Sequence, residues 1–115
     1  MTRNYFDQEL QGLQVSLLKM SSMVEEILGN SIKALKTQNA ELAQKVIDDD
    51  AEIDDMEFVV EDKCIKLIAL QSPLAKDLRL IATALKIITD LERIADYAVD
   101  RAKITLKLQH EKYIK

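Results

Sequence analysis

The chain has 115 residues, one ordinary domain's worth, and 16 basic residues against 20 acidic ones give it a net charge of −4. Its 2 glycines and 1 proline are about a quarter of the usual share, which excludes turn-rich sandwiches and barrels, Rossmann folds and phosphate-cradling loops. No stretch is basic enough for a nucleic-acid face, and no uncharged apolar run approaches a membrane span.

The same reading finds no GxGxxG, GxxxxGK[ST], CxxC or HExxH. The single cysteine, Cys64, has no partner for an internal disulfide, which suits a reducing compartment. The first residues, Met1 to Asp7, lack the apolar segment of a secretory signal. A cytoplasmic, mildly acidic helical protein is expected.

Helical periodicity is interrupted at two places. Lys36-Thr37-Gln38-Asn39 offers Asn39 as a helix cap; Gln71-Ser72-Pro73 offers Ser72 as a cap with Pro73 at the first helical position. Three long helices are therefore predicted, over about 4–36, 40–71 and 73–109. Helix 1 carries Leu10, Leu13, Leu17, Met20, Val24, Ile27, Ser31 and Ala34 at alternating spacings of three and four, a heptad seam. Helix 2 continues the theme with Ile53, Met56, Val60, Cys64, Leu67 and Leu70. Run backwards, that seam meets Asp49, which marks Val46 to Asp50 as a place for a break. Helix 3 is apolar over a wide arc (Leu78, Ile81, Leu85, Ile88, Leu91, Ala95, Ala98 and Val99), so it should touch two neighbours, or one neighbour and another chain. Short connections make the three helices an antiparallel, up-down-up, all-α bundle, a single domain over 1–115.

Four carboxylates break the pattern. Asp50 and Asp54 stand four apart on helix 2, as do Glu92 and Asp96 on helix 3, so each pair shares a helical face. In a hairpin hinged at Pro73, residues whose numbers sum to about 146 lie level. Asp54 then faces Glu92, and Asp50 faces Asp96. Carboxylates about 5 Å apart repel by roughly 3 kcal/mol per pair at an effective dielectric near 20. Protons, basic neighbours or cations must relieve that. All-oxygen ligands favour magnesium, calcium, manganese or ferric iron, with zinc possible. A ferritin-type di-iron site is disfavoured, because the lone histidine, His110, is far from Glu92. An acidic pair in so charged a chain can also simply line a solvated face.

Other residues have simpler readings. Asp77 suits the positive end of helix 3. Arg79 and Arg93 are expected to pair with acids on neighbouring helices, or else to serve a partner surface. Cys64, Met20, Met23 and Met56 are expected in the core, and His110 in solvent.

The stretch from Leu70 to Ala98 resembles the PhoU family of phosphate-uptake regulators. It holds Gln71-x-Pro73-x-x-x-Asp77-Leu78-Arg79 and then Asp90-Leu91-Glu92-Arg93-Ile94-x-Asp96. Phe6-Asp7-x-Glu9-Leu10 and Asp50-x-x-Ile53-Asp54-x-x-Glu57 extend the resemblance over the chain. It implies an all-helical protein, usually of two tandem three-helix repeats in somewhat over 200 residues. This chain looks like the first repeat, either cut at the boundary or a single-repeat protein that pairs with another copy as a homodimer. The resemblance implies multinuclear metal clusters held by paired acidic motifs, here Asp50, Asp54, Glu92 and Asp96, with iron, manganese, zinc or magnesium as the metal. Glu57 and Asp100, one turn away, would be auxiliary ligands. It also implies negative regulation of phosphate acquisition, through contact with the phosphate-specific ABC transporter and a membrane sensor histidine kinase. An enzymatic role is disfavoured, because no nucleophile, base or pocket-forming loop is legible. A plain structural bundle that dimerises through helix 1 or helix 3 is the remaining alternative.

Overall fold

The computed structural model describes residues 3–69 and 74–114. They form three helices, α1 (Arg3–Thr37), α2 (Ala40–Ala69) and α3 (Ala75–Ile114), packed side by side along a rod of 66 × 17 × 17 Å. Each helix contacts both others. The up-down-up bundle is as expected, with α3 running further toward the C-terminus than its periodicity suggests.

The α1–α2 turn is built by local chemistry. Gln38 adopts a left-handed φ of 56°. This lets the Asn39 amide donate to Ala34 O (2.9 Å) and the Gln38 amide to Leu35 O (3.4 Å), the paired bonds of a Schellman termination. Asn39 then caps α2, its Oδ1 accepting from the Leu42 amide at 3.0 Å. The second expected cap, Ser72 with Pro73, lies outside the described residues, as does Leu70. Asp77 does more at that end than favour the helix dipole. Its side chain is 1% exposed, and its Oδ2 accepts the Leu74 amide at 2.9 Å. Both carboxylate oxygens also accept from the Arg3 guanidinium, Oδ1 at 2.8 Å, which ties the start of α1 to the start of α3. Arg3 in turn lies over the Phe6 ring, 4.8 Å from its centroid. The Arg3 hydrogen bond holds the Asp77 carboxyl down at about 2.

The core follows the heptads. Leu13, Met20, Ile27 and Ala34 of α1 meet Val46, Ile53, Val60 and Leu67 of α2 and Ile81, Ile88, Ala95 and Ala102 of α3. Spacing by seven keeps one line facing the bundle axis when helices supercoil gently. Cys64 is buried as expected, and burial raises its thiol pKa. Met20 is fully buried, whereas Met23 and Met56 are half-buried at its edge. No break occurs at Val46 to Asp50. The seam steps from Val46 to Ile53 past a half-buried Asp50, so Asp49 leaves the axis and pairs with Lys45 at 2.6 Å.

As its wide apolar arc predicts, α3 touches both neighbours. Within that arc Leu78 and Leu85 are nevertheless exposed. They sit three positions behind the axial residues Ile81 and Ile88, on the flank toward α2. Arg79 and Arg93 make no ion pair among the described residues. Both lie on the 79-86-93-100-107 line, which points away from α1 and α2 alike.

Candidate metal centre

The α2–α3 groove gathers the acids. Two seven-residue lines border it, Asp50, Glu57 and Cys64 on α2 and Leu85, Glu92 and Val99 on α3. Glu61 lies one turn beyond Glu57 on α2, and Asp96 one turn beyond Glu92 on α3. Asp50, Glu57, Glu61 and Glu92 are half-buried, and Asp54 and Asp96 are exposed.

The other three expected carboxylates all act electrostatically on Asp50. The Asp50 carboxyl is pushed above its usual range, first by burial and then by the charges of Asp54, Asp96 and Glu92. Lys103, one heptad beyond Asp96, partly offsets this. Asp50 Oδ1 is buried and accepts no hydrogen bond. One turn along, Glu57 is pushed up to about 7, by burial first, then by a hydrogen bond with Glu61, and by the charge of Glu92 and a hydrogen bond with it. Glu57, an auxiliary in the sequence reading, is thus the most strongly perturbed acid in the groove. Glu61 and Lys103 escaped that reading, although both could have been found by stepping four from Glu57 and seven from Asp96. Asp100 is exposed, on the outward line of α3.

Among the described residues, no three acid, histidine or cysteine side chains stand drawn together as a formed cation cage. The donor set still fits a hard cation. It is all oxygen, its Asp50 and Glu57 carboxyls are raised by burial and like charge, and it leaves one buried carboxylate oxygen unused. Asp50, Asp54, Glu92 and Asp96 would hold such an ion, with Glu57 and Glu61 within reach. Bound there, the cation would neutralise mutual repulsion and tie α2 to α3.

The remaining grooves differ. The α1–α2 groove carries interleaved charges, with Lys19, Glu52 and Asp55 around Met23, Met56 and Val59. Between α1 and α3 the surface is apolar, with a cavity of about 150 Å³ bordered by Leu10, Leu17, Leu80 and Ile87. At its far end the Arg101 guanidinium donates to the buried Ser31 Oγ at 3.2 Å, and Ser31 donates to Leu28 O at 2.7 Å.

Comparison with known proteins agrees with this architecture. The family profile described as "PhoU domain" matches residues 17–105. A phosphate-specific transport system accessory protein PhoU homolog from Clostridium acetobutylicum is 46% identical over 114 residues, covering 98% of this chain and 52% of that protein. The accessory protein PhoU of Escherichia coli strain K12 is 38% identical over 93 residues, covering 81% and 39% respectively. The crystal structure of PhoU from Pseudomonas aeruginosa superimposes with a TM-score of 0.89 at 36% identity, over 92% of this chain and 51% of that one. The chain therefore spans about half the length of the relatives it matches.

Proposed function

Because the chain belongs to the PhoU family, we propose that it is an accessory regulator of phosphate transport, an adaptor that works by protein contact and carries a cation site in its α2–α3 groove. The observation that carries this reading is the family match over residues 17–105. The relatives are named accessory proteins of the phosphate-specific transport system, which supports a regulatory role over an enzymatic one. The partners in this reading are the phosphate-specific ABC transporter and the sensor histidine kinase of the phosphate-starvation response, which the adaptor restrains when phosphate is plentiful. No described helix is long and apolar enough to cross a membrane, which accords with an adaptor that meets those partners from the cytoplasm.

The chain's own residues have two tasks here. Glu57 and Asp50, whose carboxyls burial and like charge raise, would bind a cation that relieves that repulsion, and the α2–α3 pair presents the acids along one groove. Iron, manganese, zinc and magnesium are the cations to test. Metal analysis of the purified chain beside an Asp54→Ala, Glu92→Ala double variant tests the site. Bound metal that the double variant loses is the expected result; equal metal in both removes the site. Capture of the transporter ATPase or the kinase, with and without chelator, tests the adaptor role. Failure to capture either in both conditions would overturn it.

A further inference from the structure

We infer that α2 is the movable helix of this bundle: its middle, residues 50–61, sits on a fixed α1–α3 frame and is loosened by the charge of the groove acids. The frame is tied at both ends. At one end the Arg3 guanidinium donates to both oxygens of the buried Asp77. At the other, Arg101 donates to the buried Ser31 Oγ, and Gln109 Nε2 donates to Gln38 O at 3.0 Å. All three join α3 to α1 or to the turn that ends it. Among the described residues, the middle of α2 has no such tie to α1. Toward α3 it has the hydrogen bond between Glu57 and Glu92, which two carboxylates cannot keep once both are charged.

Packing and charge point the same way. In α1 the axial alternation of three and four runs Leu13, Leu17, Met20, Val24, Ile27, and in α3 Ile81, Ala84, Ile88, Leu91, Ala95, with no charge in either. In α2 the matching run is Val46, Asp50, Ile53, Glu57, Val60, so every second place is a half-buried carboxylate. Burying a carboxylate costs free energy unless a partner offsets it. Residues 47–62 hold nine acids and no lysine or arginine. The ion pairs within α2, Lys45–Asp49 and Lys66–Asp62, brace it on either side of that middle and leave 50–61 without a cation of their own. Lys103 of α3 offsets part of the repulsion at Asp50. A segment with few buried apolar side chains and unrelieved like charge opens at lower free energy than the frame around it. A groove cation would fasten it again; that reversal alone rests on the proposed cation site.

Amide hydrogen exchange of the whole chain at about pH 8, in EDTA, tests this. Residues 50–61 should exchange at least about tenfold faster than the middles of α1 (17–31) and α3 (84–98). The isosteric Asp50→Asn, Glu57→Gln double variant should slow 50–61 by about tenfold and leave the frame unchanged, with equal helicity by circular dichroism. Asp48→Asn with Asp55→Asn removes the same charge outside the α2–α3 groove and should slow 50–61 less than about threefold. Manganese in place of EDTA should slow 50–61 in the parent chain. A parent insensitive to manganese, beside a double variant that still slows, removes the cation site and supports loosening by charge alone. Equal exchange in the three middles, a double variant that exchanges like the parent, or equal slowing by the Asp48, Asp55 variant would each overturn the inference.

Discussion

The two flanks of α3 carry opposite chemistry although they belong to one helix. Toward α1 run Leu80, Ile87 and Ile94; toward α2 run Leu85, Glu92 and Val99, two positions further back in the same heptads. The first flank borders an apolar cavity, and the second sits among carboxylates raised by burial and by one another's charge. Apolar surface is relieved by any close-packed neighbour, so the first flank suits protein contact. Repelling carboxylates are relieved by protons or cations, so the second suits ions. A helix needs only a two-residue offset to serve both.

Both flanks rest on one core, and hollowing it is the largest disturbance. Ile88 is 1% exposed between them, so Ile88→Ala should cost about 3–4 kcal/mol in denaturant unfolding. The acid flank can be probed alone. Glu57 titrates near 4.5 in an unfolded chain and at about 7 here, so stability should fall as pH rises from about 4.5 to about 7 and then level off. Glu57→Gln should recover about 1–2 kcal/mol at pH 8 and flatten that slope in thermal melts.

The Arg3–Asp77 tie gives the opposite slope. Its carboxyl lies at about 2 against 3.8 unfolded, so its stabilisation is present above 3.8 and lost as pH falls through that interval. Asp77→Asn should lower the thermal midpoint at neutral pH by several degrees and remove the acid-side loss. The smallest effect belongs to a site on neither flank. Gln38 holds a left-handed φ that glycine adopts freely, so Gln38→Gly should add about 0.5–1 kcal/mol. Its loss of the Nε2 bond to Leu35 O (3.2 Å) offsets part of the gain. The pH slopes of both flanks should be unchanged in that variant.

The mutual influence of the groove acids could be expected before the fold. That the charges of Asp54, Glu92 and Asp96 act on Asp50 was legible because four-residue spacing fixes a helical face and a hairpin fixes height. The dominance of Glu57 was not, because its shift arises from burial and from Glu61 and Glu92 acting together. The burial of Asp77 was hidden for a similar reason, since its guanidinium partner stands 74 positions away.

By itself the sequence determined the helices, the turn at Asn39 and the axial heptads, because these follow from neighbouring residues and local periodicity, and its motifs carried the family resemblance. Tertiary packing alone decided that Leu78 and Leu85 stay exposed, that Asp77 is clamped, and which flank of α3 is apolar and which acidic. A heptad tells which residues point toward the axis. Only the positions of α1 and α2 around that axis tell what each flank meets.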